Sequence, residues 1–118
     1  MNILIGTDII EINRIKQAIE NNESFLKRIY TKKEIEYCEN KKTQKYQSYA
    51  ARFAAKEAIY KAISELIDEF KWTDFEILNR KNGKPYVNLK ININNIKEIN
   101  ISLSHCKEYA TAYVVVEI

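Results

Sequence analysis

The sequence predicts an α+β fold, in which an antiparallel sheet packs on a long central helix. The alanine-rich segment over residues 50–62 predicts that helix, and its small side chains let another backbone approach closely. From residue 75 onward the apolar residues alternate, which is typical of strands. No internal repeat divides the chain, so residues 1–118 are expected to form a single domain.

The N-terminal part predicts one strand followed by short helices. The β-branched run over residues 3–10 favours a strand that joins the sheet. Isoleucines spaced by three and four residues predict a helix over residues 11–20. Residues 25–30 are expected to form a brief turn, after which Thr31 and Glu34 have the spacing of a capping box that begins another short helix.

The central helix is expected to run from about residue 44 to about residue 69, because its apolar side continues to that point. The turn over residues 82–85 contains glycine and proline and predicts a hairpin with a rigid tip. The alternating segments predict four strands, at residues 75–78, 86–89, 100–103 and 109–118.

Composition restricts the class of protein. With 46% hydrophobic and 30% charged residues, the chain is typical of soluble globular proteins, and no long apolar run or basic leader predicts a membrane span or export. Cys38 and Cys106 match no metal-ligand spacing and are expected to be reduced thiols in a cytoplasmic protein. A net charge of +3 favours an acidic partner but is too small to indicate nucleic-acid binding.

Two acidic residues stand at unusual places. Glu57 follows Phe53 and precedes Lys61 in one column of the central helix, on a face of small apolar residues. An ordinary ion pair between Glu57 and Lys61, worth about 0.2–0.5 kcal/mol, is one explanation. Asp8 ends the first strand, where it could equally face water or cap the next helix.

Five segments of the chain, taken together, resemble the holo-acyl carrier protein synthases, a family of phosphopantetheinyl transferases. They span nearly the whole chain and occur in the family's order. They are GTDIIEINR (6–14), FLKRIYTKKE (25–34), ARFAAKEAIYKA (51–62), NGKPY (82–86) and SLSHCKEYATAYVV (102–115). The resemblance implies the fold of that family and favours a metal ligand over a surface ion pair at Glu57.

The resemblance also implies an activity. Members transfer 4′-phosphopantetheine from coenzyme A to a serine of apo-acyl carrier protein, with Mg²⁺, and release adenosine 3′,5′-bisphosphate for fatty acid biosynthesis. They assemble as homotrimers with sites between neighbouring subunits. The residue types suit the chemistry independently, because a diphosphate under attack needs carboxylates for Mg²⁺ and cations for its own charge.

Matching the segments to the family assigns roles to individual residues. Asp8 and Glu57 correspond to the metal ligands, and Glu57 and Lys61 to the catalytic groups. Arg14 and Arg28 correspond to positions that face the acidic carrier protein. The positions that contact coenzyme A correspond to Arg52, Lys61, Gly83, Lys84, Pro85 and His105.

Three alternatives stay open. His105, the sole histidine, is either a general base or a ligand-contacting group, and Glu57 is the better proton acceptor because it lies at the metal. Residues 64–72 hold no glycine, where the family often has a glycine-containing loop near the cofactor, and this segment could prolong the helix. A basic module that binds RNA or an acidic protein is the competing class, although no nucleic-acid motif is present.

Overall fold

The computed structural model describes residues 2–118 and confirms the α+β fold. The helices are α1 (Ile12–Asn21), α2 (Glu23–Ile29), α3 (Lys32–Glu39) and α4 (Lys45–Ile63), with 3₁₀ turns at Lys42–Gln44, Ser64–Leu66 and Trp72–Asp74. The strands are β1 (Ile3–Glu11), β2 (Phe75–Asn79), β3 (Pro85–Leu89), β4 (Glu98–His105) and β5 (Tyr109–Glu117).

The strands form two sheets rather than the single sheet expected from the sequence. One is antiparallel and three-stranded, in the order β1-β5-β4, and the other is the β2–β3 hairpin. In the larger sheet Asp8 lies opposite Ala112 and His105 lies opposite Ala110. Because directly opposed residues share a face, Asp8 and His105 both lie on the face where Ala110 and Ala112 are buried.

Helix α4 packs directly on this buried face, and small residues make the close approach possible. A Cβ atom on Gly6 would lie 1.9 Å from the carbonyl oxygen of Ala58. Ala54, Ala58 and Ala62 of the helix are buried against the sheet side of the core. The alanine-rich composition of α4 therefore brings its backbone, and with it Glu57, close to β1.

Two clusters of buried side chains hold the molecule together. One lies between α4, the larger sheet and the hairpin and includes Ile59, Phe75 and Val114. The other lies beneath the N-terminal helices and includes Tyr30 and Tyr49. Both clusters involve α4, which is why the rest of the chain is arranged around that helix.

The turn expected at residues 25–30 is wrong, because this segment belongs to helix α2, Glu23–Ile29. The side chain of Asn22 accepts a hydrogen bond from the backbone N–H of Ser24 and caps the helix. Ile29 is buried in the core, and such tertiary burial stabilises a helix too short to be stable alone. The capping box of Thr31 and Glu34 at the start of α3 is confirmed.

The expected extension of the central helix to residue 69 is also wrong, since α4 ends at Ile63. Beyond it the chain returns over the helix, where the ring of Phe70 stacks on Tyr60 at 5.0 Å and on Phe75 at 5.2 Å between centroids. A continuous helix would carry Phe70 away from β2. Burial of these aromatic rings therefore stabilises the fold more than continuation of the helix would, although the apolar residues of the segment have helical spacing.

Two further expectations concern membrane spans and the thiols. Across residues 2–118, no helix is long and apolar enough to cross a membrane. Cys38 is buried, Cys106 is exposed, and both are free cysteines, as expected from the sequence.

Candidate functional site

Asp8 and Glu57 line one cavity of about 450 Å³ between β1, α1, α2 and α4. Asp8 reaches it because it lies on the helix-facing side of β1, and Glu57 reaches it because α4 crosses that strand closely. Arg14 lines the same cavity, whose walls are otherwise apolar and include Phe25 and Phe53. The structure therefore brings the two predicted metal ligands together.

Lys61 pairs with one of the two carboxylates at this cavity. Lys61 donates a hydrogen bond from Nζ to Asp8 Oδ1 at 3.1 Å and another to the carbonyl oxygen of Thr7 at 3.0 Å. Lys61 thus pairs with Asp8 across two elements rather than with Glu57 along its own helix. Burial, and secondly the charge of Asp8, raise the pKa of Glu57, while Lys61 acts in the opposite direction.

The oxygen donors fit a hard divalent cation. Within residues 2–118 no group of three or more histidine, cysteine or acidic residues gathers at one point, so this cavity offers two carboxylates only. Mg²⁺ commonly takes one or two protein carboxylates and completes its octahedron with water and substrate phosphate. A cation would also offset the repulsion that contributes to the raised pKa of Glu57.

The predicted turn is closed by hydrogen bonds and forms a separate part of the site. Gly83 has φ +91°, and its N–H donates to the carbonyl oxygen of Arg80 at 2.8 Å. The N–H of Lys84 donates to Asn82 Oδ1 at 3.0 Å. Lys84 and Pro85 line a groove of about 280 Å³ between β3 and β4, away from the cavity of Asp8 and Glu57.

Arg52 lies inside the protein rather than at its surface. It is 3% exposed, and its guanidinium lies 4.1 Å from the centre of the Tyr37 ring. Its Nη2 donates a hydrogen bond to Asn79 Oδ1, while its buried Nε has no partner among residues 2–118. In this conformation Arg52 contacts the end of β2, and a ligand has little access to it.

His105 is exposed at the end of β4, on the same sheet face as Asp8. Strand β5 lies between the two residues. Two strand spacings amount to about 10 Å, so a single subunit does not place His105 beside the carboxylates.

Arg14 and Arg28 are exposed near the mouth of the carboxylate cavity. Arg14 lines that cavity, and the guanidinium of Arg28 lies 5.9 Å from the ring centre of Phe25, which lines it too. The two arginines therefore flank an opening that has an apolar wall and acidic groups within.

Comparison with known proteins identifies the family of the chain. The model of the 4′-phosphopantetheinyl transferase superfamily matches residues 4–114. The chain belongs to this superfamily.

Individual transferases resemble the chain over its full length. A holo-acyl-carrier-protein synthase of Ruminiclostridium cellulolyticum is 48% identical, covering 100% of this chain and 94% of its own. The corresponding synthase of Chloroherpeton thalassium is 50% identical, covering 96% of each. The crystal structure of the Helicobacter pylori synthase in complex with coenzyme A has a TM-score of 0.82 at 32% identity, covering 97% of this chain and 100% of its own.

Sequence reasoning missed one pair of charged residues in this transferase. Lys56 is 1% exposed, and its Nζ donates to Glu34 Oε1 at 2.8 Å and to the carbonyl oxygens of Trp72 at 3.1 Å and Phe75 at 2.8 Å. Glu34 also accepts from the N–H of Ile77 at 2.9 Å. In the sequence, Lys56 is readily interpreted as an exposed charge of the helix and Glu34 as part of a capping box. No local signal therefore reveals that the two residues form a buried pair.

Asn79 was also missed, although it joins Arg52 to the turn. A signal existed, since a polar residue ends the alternating segment just before the glycine-containing turn. Asparagine is common at such positions because its side chain bonds to nearby backbone.

Proposed function

We propose that this chain is a holo-acyl-carrier-protein synthase that transfers 4′-phosphopantetheine from coenzyme A to a serine of apo-acyl carrier protein. The products are holo-acyl carrier protein and adenosine 3′,5′-bisphosphate. The observation that carries the proposal is that Asp8 and Glu57 line one cavity, with Lys61 hydrogen-bonded to Asp8 beside it. Synthases that are 48% and 50% identical over nearly the full length support the same substrates.

The proposed reaction is a displacement at phosphorus. The serine oxygen of the carrier bonds to the phosphorus that bears pantetheine, and the bond from that phosphorus to the bridging oxygen of the diphosphate breaks. Adenosine 3′,5′-bisphosphate leaves with the electron pair. Glu57 is the proposed acceptor of the serine proton, because it lines the cavity where the reacting phosphate would lie. His105 is the less suitable base, because a strand separates it from Asp8.

We propose that Asp8 and Glu57 hold Mg²⁺. When bound, Mg²⁺ supplies positive charge against the diphosphate oxygens. The side chain of Lys61 is 52% exposed, so its ammonium can contact a phosphate from its place beside Asp8. The two carboxylates and the lysine would thereby hold the reacting phosphate against the carrier serine.

The nucleotide end of coenzyme A is proposed to lie against the turn and its neighbours. Gly83 lets the backbone approach the ligand, because no side chain intervenes, and Lys84 and Pro85 line the adjacent groove. Arg52 and His105 are proposed to act at the same end, with Arg52 supplying charge from beneath the turn. Lys61 contacts the diphosphate from the other side.

A homotrimer is proposed because one subunit keeps these parts of the site apart. The face of the larger sheet that points away from α4 also exposes an apolar surface. Its large side chains are Ile3, Ile5, Ile9, Tyr109, Tyr113 and Val115, with Ile5 at 74% and Tyr113 at 59% exposure. Contiguous exposed apolar surface of this kind is typical of protein interfaces, so a neighbouring subunit of the proposed trimer would cover it.

The carrier protein is proposed to dock at the mouth of the carboxylate cavity. Arg14 and Arg28 would attract its acidic surface, and the apolar wall that includes Phe25 and Phe53 would contact it next to Glu57. A binding module for RNA is less well supported. Tyr30 and Tyr49 are buried, and the exposed Tyr109 and Tyr113 belong to an apolar rather than a basic surface, which does not suit binding to a phosphate backbone.

The deciding experiment measures the mass of the carrier. Apo-acyl carrier protein is incubated with the chain, coenzyme A and Mg²⁺, and a gain of one phosphopantetheine group is expected. An unchanged carrier mass, with the carrier bound by the chain, would favour a binding module instead. We further propose that the enzyme acts as a single domain in the cytoplasm and supports fatty acid biosynthesis.

A further inference from the structure

The β2–β3 hairpin is not hydrogen-bonded into the larger sheet. Two buried cations of α4, one turn apart on the helix, attach β2 to that helix. Lys56 donates to the carbonyl oxygen of Phe75 at the start of β2, and Arg52 donates to Asn79 at its end. The position of the hairpin relative to Glu57 therefore depends on contacts that lie outside the carboxylate cavity.

Asn79 extends the second of these contacts to the turn. A guanidinium can only donate, so the Asn79 side chain must point its oxygen at Arg52 and its NH₂ group away. That NH₂ group donates to the carbonyl oxygen of Gly83 at 2.9 Å. One side chain thus joins the buried guanidinium to the backbone of the turn.

The turn has little else to hold it in place. Gly83 has a positive φ and is exposed, and a Cβ atom built on it would meet nothing within 4 Å. Its conformation depends on hydrogen bonds, and those from the N–H groups of Gly83, Lys84 and Arg80 are made among residues 80–84. The bond from Asn79 links the turn to Arg52 and hence to α4.

We propose that Asn79 is a positioning residue for coenzyme A, which holds the turn over residues 82–85 in place by joining Gly83 to Arg52. This role rests on the proposed function, in which Gly83 and Lys84 contact the nucleotide. Asn79 itself does not touch the ligand. Its loss would leave the carboxylate cavity intact while letting the turn leave its bound position more often, so the binding of coenzyme A weakens and the chemical step does not.

The test compares Asn79→Ala and Asn79→Asp with the wild type. The aspartate keeps an oxygen for Arg52 but lacks the donor for Gly83, so it folds even if the alanine variant does not. Both should raise KM for coenzyme A about fivefold to tenfold, as expected for losing one or two hydrogen bonds of ordinary net strength. The kcat and the KM for the carrier should stay within about twofold of wild type. Asn88→Ala is the matched control, since Asn88 lies on the same hairpin but donates to Glu76 at 3.0 Å.

A second readout needs no catalysis. Amide hydrogen exchange of the peptide that contains Gly83 and Lys84 should be faster in both Asn79 variants and unchanged in Asn88→Ala. If the wild type is active, three results overturn the positioning role alone. The folded Asn79 variants could keep the wild-type KM for coenzyme A, they could show a lower kcat with an unchanged KM, or Asn88→Ala could have an equal effect. A wild type that neither transfers the group nor binds coenzyme A overturns the proposed function and this role with it.

Discussion

At the scale of single residues, the placement of charge distinguishes reacting groups from structural ones. Glu57 and Lys56 are neighbours in the same motif, yet their environments differ. Lys56 is enclosed and donates to three acceptors, whereas Glu57 lines a cavity and has a raised pKa. An enclosed, fully bonded ion pair supports the fold, and a poorly compensated carboxylate at a cavity is a candidate for chemistry.

The first prediction concerns the metal ligands. Asp8→Asn and Glu57→Gln each remove a carboxylate charge with little change in volume, so each should lower kcat/KM by at least about 100-fold. Circular dichroism and melting temperature should stay close to those of wild type. Activity is measured over a range of Mg²⁺ concentrations, and a variant that keeps wild-type turnover at limiting Mg²⁺ would contradict the assignment of that residue.

The second prediction concerns Arg52. If the charge of Arg52 acts on the 3′-phosphate of coenzyme A from beneath the turn, without a direct hydrogen bond, Arg52→Ala should lower kcat/KM with coenzyme A by about tenfold. With dephospho-coenzyme A the substitution should have little effect. Additive losses from removing the arginine and the phosphate would instead indicate that Arg52 only supports the fold.

The third prediction concerns Arg14 and Arg28. Reversing either to glutamate should raise KM for the carrier about tenfold at low salt and leave KM for coenzyme A unchanged, because exposed charges mainly steer the encounter. The effect should shrink as salt is added. Lys27→Glu, on the same helix as Arg28, is the control and should have a much smaller effect; a rise confined to KM for coenzyme A would place the arginines at the nucleotide.

At the scale of elements, the site depends on how closely α4 lies to β1. Gly6 faces the Ala58 carbonyl oxygen. Asp8 lies two residues after Gly6, and Glu57 lies one residue before Ala58. The two carboxylates therefore share a cavity because backbone meets backbone there. Larger residues where α4 crosses β1 would move the helix away from the strand and would thereby separate the two carboxylates.

The fourth prediction follows from this crossing. Gly6→Ala places a methyl group 1.9 Å from a backbone oxygen that cannot rotate away, so it should lower the free energy of unfolding by about 3 kcal/mol or more. Gly83→Ala is the control. It meets open space and strains only a positive φ, so the expected loss is about 1 kcal/mol. Urea unfolding measures both, and equal losses would contradict the steric explanation.

At the scale of the whole molecule, the two faces of the larger sheet have different roles. One face is covered by α4, and the other exposes six large apolar side chains of β1 and β5. The proposed homotrimer would cover this outer surface and complete the site with a neighbour's residues. Oligomerisation and activity should then be lost together.

The fifth prediction tests that link. Ile5→Glu or Tyr113→Glu puts a charge on the exposed apolar face and should shift the particle from trimer to monomer, as measured by light scattering after gel filtration. Transferase activity should fall about 100-fold or more if the site includes a neighbour's residues. Gln17→Glu, on the exposed side of α1, should change neither, and a fully active monomer would contradict a shared site.

The sequence by itself determined the α+β class, the capping box at Thr31 and the hairpin turn, and its resemblance to the family indicated Asp8 and Glu57 as candidate ligands. These depend on local periodicity, on turn chemistry and on motifs, all of which are visible along the chain. Only the tertiary structure decided that α4 ends at Ile63, that segment 23–29 is helical and that the strands form two sheets.

The burial of Arg52 and the pairing of Lys56 with Glu34 were likewise decided only in three dimensions. Their partners are far along the chain, and local sequence does not report which distant groups will meet. Charged residues in helices are mostly exposed. Arg52 and Lys56 are buried only because α4 packs against the hairpin and α3. Contacts within an element follow from its own period, whereas contacts between elements follow from how the whole chain buries its apolar surface.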